Sequence, residues 1–299
     1  MSIGACWERG DLVKVPWRGG KPARLTEGCE YSAPEAAPDG RTLLAIRREE
    51  MCCPKFVTLS ADGTDVTPVP LPQEDVTSTP SAPSFAPGGD TFAFEGDDPF
   101  NGTDRAPLLA VSLDGTERRR IEGHWSCPDG RETCAVYENP SWSPDGKLMA
   151  VTVRYVSRPG LWLIRARDGE PVRRIAGMRA LALDWSPKGR KLVFSTDYFA
   201  KGRGAAGGNL YVVSRDGQSR RTLVHREHIA ETQPAWSPNG RWVAWVSLKL
   251  CCGDEPETVG MSLWRVRAGG GGPKRIRRLP DPYVEETAFL PPYLTWLPR

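Results

Sequence analysis

Histidine is scarce in this chain, three among 299 residues, and no stretch of 18 apolar residues occurs. The second absence excludes a membrane-spanning helix. Neither a G-x-S-x-G nucleophile elbow nor a phosphate-binding glycine loop is present, so serine hydrolysis and nucleotide binding lack their usual sequence support. Residues Met1 to Gly10 show no basic segment followed by an apolar one, and no signal peptide is expected in the given chain. Positive charge is in small excess, 40 Lys and Arg against 37 Asp and Glu, too little to point to nucleic acid. Uninterrupted runs are missing as well, because 31 Gly and 28 Pro break the chain too often for long helices. What is present, 39% hydrophobic and 26% charged residues, supplies a sizeable core and argues against disorder.

One motif returns six times. It reads Ala33-Pro34 to Pro38-Asp39-Gly40, then Ala82-Pro83 to Pro87-Gly88-Gly89, then Asn139-Pro140-Ser141-Trp142-Ser143-Pro144-Asp145-Gly146. It continues as Asp184-Trp185-Ser186-Pro187-Lys188-Gly189, Gln233-Pro234-Ala235-Trp236-Ser237-Pro238-Asn239-Gly240 and Thr295-Trp296-Leu297-Pro298. Successive motif prolines, Pro38 through Pro298, are 43 to 60 residues apart, so the copies occupy residues 1–299 as one domain. Ser-Pro-Asp-Gly fits a type I turn, with proline pre-set at the second position and glycine at the fourth. An apolar strand follows each turn, and a hairpin with Asp114-Gly115, Asp168-Gly169 or Asp216-Gly217 at its tip comes after a variable loop. Each repeat therefore makes four antiparallel strands, A to D from the inside out, and the expected fold is an all-β six-bladed propeller. Residues 10–26 supply a C–D hairpin, residues 2–7 strand B, and Tyr293 to Leu297 strand A. The sixth blade is thus closed by strands from both termini, which removes a free sheet edge.

The Trp-Ser-Pro-Asp-Gly and Leu-Trp/Tyr-x-Val motifs resemble the WD40-like, PD40 repeats of TolB-type six-bladed β-propellers over essentially the whole chain. The resemblance implies the fold; a function has to be argued from sites.

In this strand order the A–B and C–D turns are short and uniform, whereas the B–C loops and D–A connections vary. Variable loops on a rigid scaffold are where binding concentrates, so the B–C face is the expected site. Its candidate residues are Glu49, Glu50, Asp97, Asp98, Arg154, Tyr155, Asp197, Tyr198, Asp254 and Glu255. The eight cysteines fall near the same connections: Cys6, Cys29, Cys52, Cys53, Cys127, Cys134, Cys251 and Cys252. Disulfides are favoured by the even count and loop positions, and they imply an oxidising compartment. A zinc or copper(I) thiolate cluster and free thiols are the alternatives. Cys127 and Cys134 stand apart from the other six and close a small loop.

Convergent carboxylates at a channel mouth could instead hold calcium, as in lactonase-type propellers, or be solvated loop residues. A metal role for His225 and His228 would need a helix where a strand end is expected. Most of the 11 tryptophans occupy motif positions, and Trp7, Trp17 and Trp125 have no repeat role. Arginine runs such as Arg118-Arg119-Arg120 and Arg220-Arg221 recur on the outer strand, where charge blocks edge-to-edge association, so no nucleic-acid partner is expected. The expected function is a non-enzymatic scaffold binding a protein, peptide or glycan, monomeric, without a resident cofactor. The competing reading is a calcium-dependent hydrolase or lactonase. The cysteines incline the localisation to an extracytoplasmic one.

Overall fold

A computed structural model describes residues 2–4, 11–28, 30–48, 54–72, 82–96, 107–128, 130, 134–196, 208–227, 229–251, 257–279 and 294–297. Among them every regular element is a strand, as the density of Gly and Pro predicts. The chain groups into two compact units, Met1–Ser32 with Leu181–Leu297, and Ala33–Ala180.

The first unit holds three four-stranded sheets. One joins β1 (Ser2–Gly4), β2 (Leu12–Lys14) and β3 (Ala23–Arg24) to β24 (Leu294–Thr295). Ser2 lies opposite Thr295 and Gly4 opposite Leu12, so the expected closure by both ends of the sequence is present. The other two are β16 to β19 (Ala180–Trp185, Lys191–Thr196, Leu210–Ser214, Arg220–Val224) and β20 to β23 (Ile229–Trp236, Trp242–Cys251, Glu257–Arg267, Lys274–Leu279). The second unit holds β4 to β7 (Tyr31–Ala36, Thr42–Arg47, Lys55–Ser60, Thr67–Pro68) and β8 to β11 (Ser84–Phe85, Thr91–Glu95, Leu108–Ser112, Arg118–Ile121). Its third sheet is β12 to β15 (Val136–Trp142, Leu148–Arg154, Gly160–Arg165, Pro171–Ala176). In five of the sheets strands follow one another in chain order, the A-to-D order read from the repeat, and in the remaining one β24 takes the A position ahead of β1, β2 and β3.

The middle strands of most sheets are buried on both faces. Val243, Ala244, Trp245 and Val246 of β21 have no exposed area, nor have Phe92, Ala93 and Phe94 of β9. Such strands read as continuous apolar runs. Between the β4–β7 and β8–β11 sheets, Phe56, Phe92 and Phe94 pack as an aromatic triad with centroids 4.6 to 5.6 Å apart.

The turns behave as the motif predicts. Gly146 N donates to Ser143 O at 2.8 Å, and the Ser143 hydroxyl donates to Asp145 while accepting Leu148 N. Ser186 and Ser237 accept Lys191 N and Trp242 N in the same way. The inner strands carry a feature the repeat did not show. Ala33, Asn139 and Gln233 have φ of 47°, 53° and 51°, each just before a proline. Proline cannot donate to the ladder, and the register shifts between Glu138 and Ser141 and between Thr232 and Ala235.

The arginine runs have a structural use. Arg119 on β11 donates to the Ala166 and Arg167 carbonyls in the β14–β15 turn. Arg221 on β19 reaches Ala268 O in the β22–β23 turn, and Arg277 on β23 reaches Gly20 O in the β2–β3 turn. In each case the outer strand of one sheet clasps the hairpin of the next. Trp17 also acquires a role here: it lies 5.7 Å from Trp242, and the Arg265 guanidinium sits over both rings at 4.5 and 4.9 Å.

Candidate functional site

Most of the expected site lies outside the described residues: Glu49, Glu50, Asp97, Asp98, Asp197, Tyr198, Asp254 and Glu255. The same holds for Cys6, Cys29, Cys52, Cys53 and Cys252, and for Trp7 and His228. Cys251 ends β21, opposite Glu257 in register. Among the described residues no three His, Cys, Asp or Glu side chains are grouped to hold a metal.

Arg154 and Tyr155 are described, and they form a cluster. The β-bulge in β12 places Glu138 beside the end of β13, with its side chain 10% exposed. Its carboxylate accepts Arg154 Nη1 at 2.8 Å and a two-pronged contact from Arg179, Nε at 2.9 Å and Nη2 at 3.0 Å. Two guanidiniums sharing one nearly buried carboxylate fix one another in place. The bond from Glu138 drives the Arg154 pKa above its ordinary value. Arg154 Nη2 donates to the Tyr155 hydroxyl at 2.8 Å, and the guanidinium lies 4.8 Å from the Tyr155 ring centre. Tyr155 has φ of 59° and is 45% exposed, one of three large apolar side chains so placed among the described residues. A bulky residue in the left-handed region costs on the order of 1–3 kcal/mol, which the surrounding contacts must offset.

Cys127 and Cys134 form a disulfide, Cα to Cα 5.8 Å, in the connection from β11 to β12. Beside it, Trp125 Nε1 donates to the Tyr137 hydroxyl at 2.7 Å and the indole packs edge-on against Trp162 at 5.0 Å. Burial raises the Tyr137 pKa. Trp125, Tyr137 and Cys134 line a crevice of about 40 Å³. Position Tyr137, two residues before the left-handed Asn139, corresponds to Glu231, two before Gln233. That substitution of a carboxylate for a phenol changes what the neighbouring connection can hold, and no composition or spacing signal shows it. His225 is bonded to Asn209 and His124 to Glu170, pairings that account for both structurally.

The folded chain is a β-propeller, and its fold is that of TolB. A protein assigned as TolB from Agrobacterium tumefaciens superposes with a TM-score of 0.68 over 94% of this chain and 89% of its own, at 20% identity. TolB from Acinetobacter baumannii gives 0.69 over 100% of this chain and 66% of its own, at 16% identity. A chain of a nidogen–laminin complex gives 0.63 at 12% identity, covering 93% and 92%. In sequence, 138 residues are 28% identical to a component of eukaryotic translation initiation factor 3 from Nicotiana tabacum, 46% of this chain but 17% of that protein. No family model matches the chain.

Proposed function

We propose that this propeller is a non-enzymatic binding scaffold that engages a protein, peptide or glycan partner from the B–C side of its blades, with Tyr155 and Arg154 among the contacts. The observation that carries the reading is Tyr155: an exposed aromatic held in a left-handed conformation, with its hydroxyl and ring both engaged by an arginine anchored on Glu138. Tyrosine and arginine are among the side chains enriched at binding hot spots, and one already immobilised loses less entropy on binding. Strain retained at an exposed position supports a use beyond folding. The Cys127–Cys134 disulfide supports an extracytoplasmic setting for such a scaffold.

Peptide and glycan arrays test the proposal with the unaltered protein, Tyr155→Ala and Val172→Thr. Val172 is 54% exposed on the outer strand β15 and serves as the control. Ligands bound by the first and third proteins should lose at least about tenfold with Tyr155→Ala, the loss expected at a hot spot. Unchanged binding by Tyr155→Ala overturns the assignment.

A further inference from the structure

A cavity of about 300 Å³ opens on the face of the β20–β23 sheet, at the ends of the strands that flank its B–C connection. Ile229, Lys249 and Gly260 lie side by side across β20, β21 and β22, and Glu231, Ser247, Ser262 and Arg278 form the next row. Arg226, in the connection leading into β20, closes the cavity from the side.

Arg226 is held from three directions. Its Nε donates to Glu231 at 2.6 Å, its Nη2 donates to the Ser247 hydroxyl at 2.7 Å, and its plane lies 4.2 Å from the Trp264 ring centre. Glu231 has no exposed side-chain area and also accepts Trp245 Nε1, so it is committed to the interior. A guanidinium fixed this way, at the wall of the cavity, loses little further freedom when it binds an anion there.

The lining carries Arg226, Lys249, Arg275 and Arg278, and no carboxylate among the described residues. Glu231 offsets Arg226. Lys249 and Arg275, both exposed, make no ion pair among the described residues. Four cations around one concave wall, with a single carboxylate held behind it, favour a multiply charged anion. A monocarboxylate answers one of these charges. A phosphate monoester carries close to two negative charges and three acceptor oxygens, so it can engage Arg226 and further cations of the lining. Ile229 and Trp264 supply apolar surface for the organic part of the ester, and the volume fits a small ligand.

We propose that this cavity binds a phosphate monoester, carried either by a small molecule or by a phosphorylated side chain. The site does not depend on the Tyr155 reading. Calorimetry on the full chain at fixed ionic strength tests it with inorganic phosphate, phosphoserine, a phosphoserine peptide, serine and chloride. The expected result is binding of the phosphate probes and not of serine or chloride, weakened at least about tenfold in Lys249→Gln/Arg275→Gln. Both positions are exposed, and an unchanged melting temperature confirms that the variant is folded. Tyr155→Ala should bind phosphoserine as the unaltered protein does. Tighter binding of the peptide than of free phosphoserine places the ester on a partner chain, and equal binding places it on a small molecule. Absence of binding by any phosphate probe, equal heats with chloride, or an unaffected double variant overturns the proposal.

Discussion

Asp184 occupies a position where its counterpart in the β8–β11 sheet is a serine. Ser84 accepts the backbone N–H of Trp142 at 3.0 Å, and the Asp184 carboxylate accepts that of Trp236 at 2.6 Å. The two side chains do the same work, tying one inner strand to the next, but only the carboxyl can ionise. Its enclosure raises the pKa from 3.8 to about 7 against the opposing effect of the Trp236 and Trp185 amides. A raised carboxyl pKa means that the folded state holds its proton longer than the unfolded chain. The associated stability is fully present below 3.8 and is lost as pH rises toward 7, an upper limit of about 4 kcal/mol between the two. Asp184→Asn keeps an acceptor for Trp236 and removes the charge. The variant should melt higher than the parent at pH 8, with a flatter dependence between about pH 4 and 7. Melting curves across that interval check this, and parallel curves for the two proteins would show that Asp184 stays ionised without cost.

Elements meet here through hairpin tips, and glycine decides how closely. Gly115 and Gly146 have nearly the same backbone, φ of 70° and 69°, but different surroundings. A Cβ on Gly115 would come within 2.3 Å of Pro70 O, whereas one on Gly146 would meet Pro87 at an ordinary 3.8 Å. Alanine in the left-handed region costs about 1 kcal/mol at either site. At Gly115 the β10–β11 turn must also back away from the preceding sheet, adding about 1–3 kcal/mol. Gly146→Ala should therefore lower stability by about 1 kcal/mol and Gly115→Ala by about 2–4 kcal/mol, as urea unfolding of the two variants would show. Equal losses would mean that only backbone conformation matters. Both glycines are plain in the sequence as turn residues. What the sequence withholds is the neighbour, because contact with Pro70 joins residues 45 apart along the chain through sheet packing. The arginine clasps are of the same kind: Arg119, Arg221 and Arg277 are legible as outer-strand charges, and their carbonyl acceptors are not.

At the scale of the whole molecule, the fold was legible because one local pattern repeats. A Pro-Asp-Gly turn, a buried run and an Asp-Gly hairpin specify a four-stranded sheet without reference to anything distant, and copies of it must stack to bury both faces. The candidate site was less legible. Arg154 and Tyr155 stand out only as loop residues, while Glu138, Arg179 and the left-handed bulge that brings them together depend on pairing between strands. The same holds for Glu231 and its hold on Arg226. Cysteine connectivity falls between these cases, since the short spacing of Cys127 and Cys134 suggested the bond that is present. That bond closes a loop of eight residues, counted from Cys127 to Cys134, and stabilises the fold by about 2–3 kcal/mol through restriction of the unfolded chain. Cys134 is 2% exposed and packs in the core with Tyr137 and Met149, so reduction frees a thiol that the interior still shields. Peptide mapping after alkylation should find Cys127 and Cys134 unmodified in the native protein, the half-buried Cys127 modified after reduction alone, and Cys134 modified only once the protein is also unfolded. Reduction alone should lower the melting temperature by several degrees, the shift expected for about 2 kcal/mol in a protein of this size. If Cys127 and Cys134 react freely without a reductant, the chain does not hold this bond, and the argument for an oxidising compartment loses its structural support.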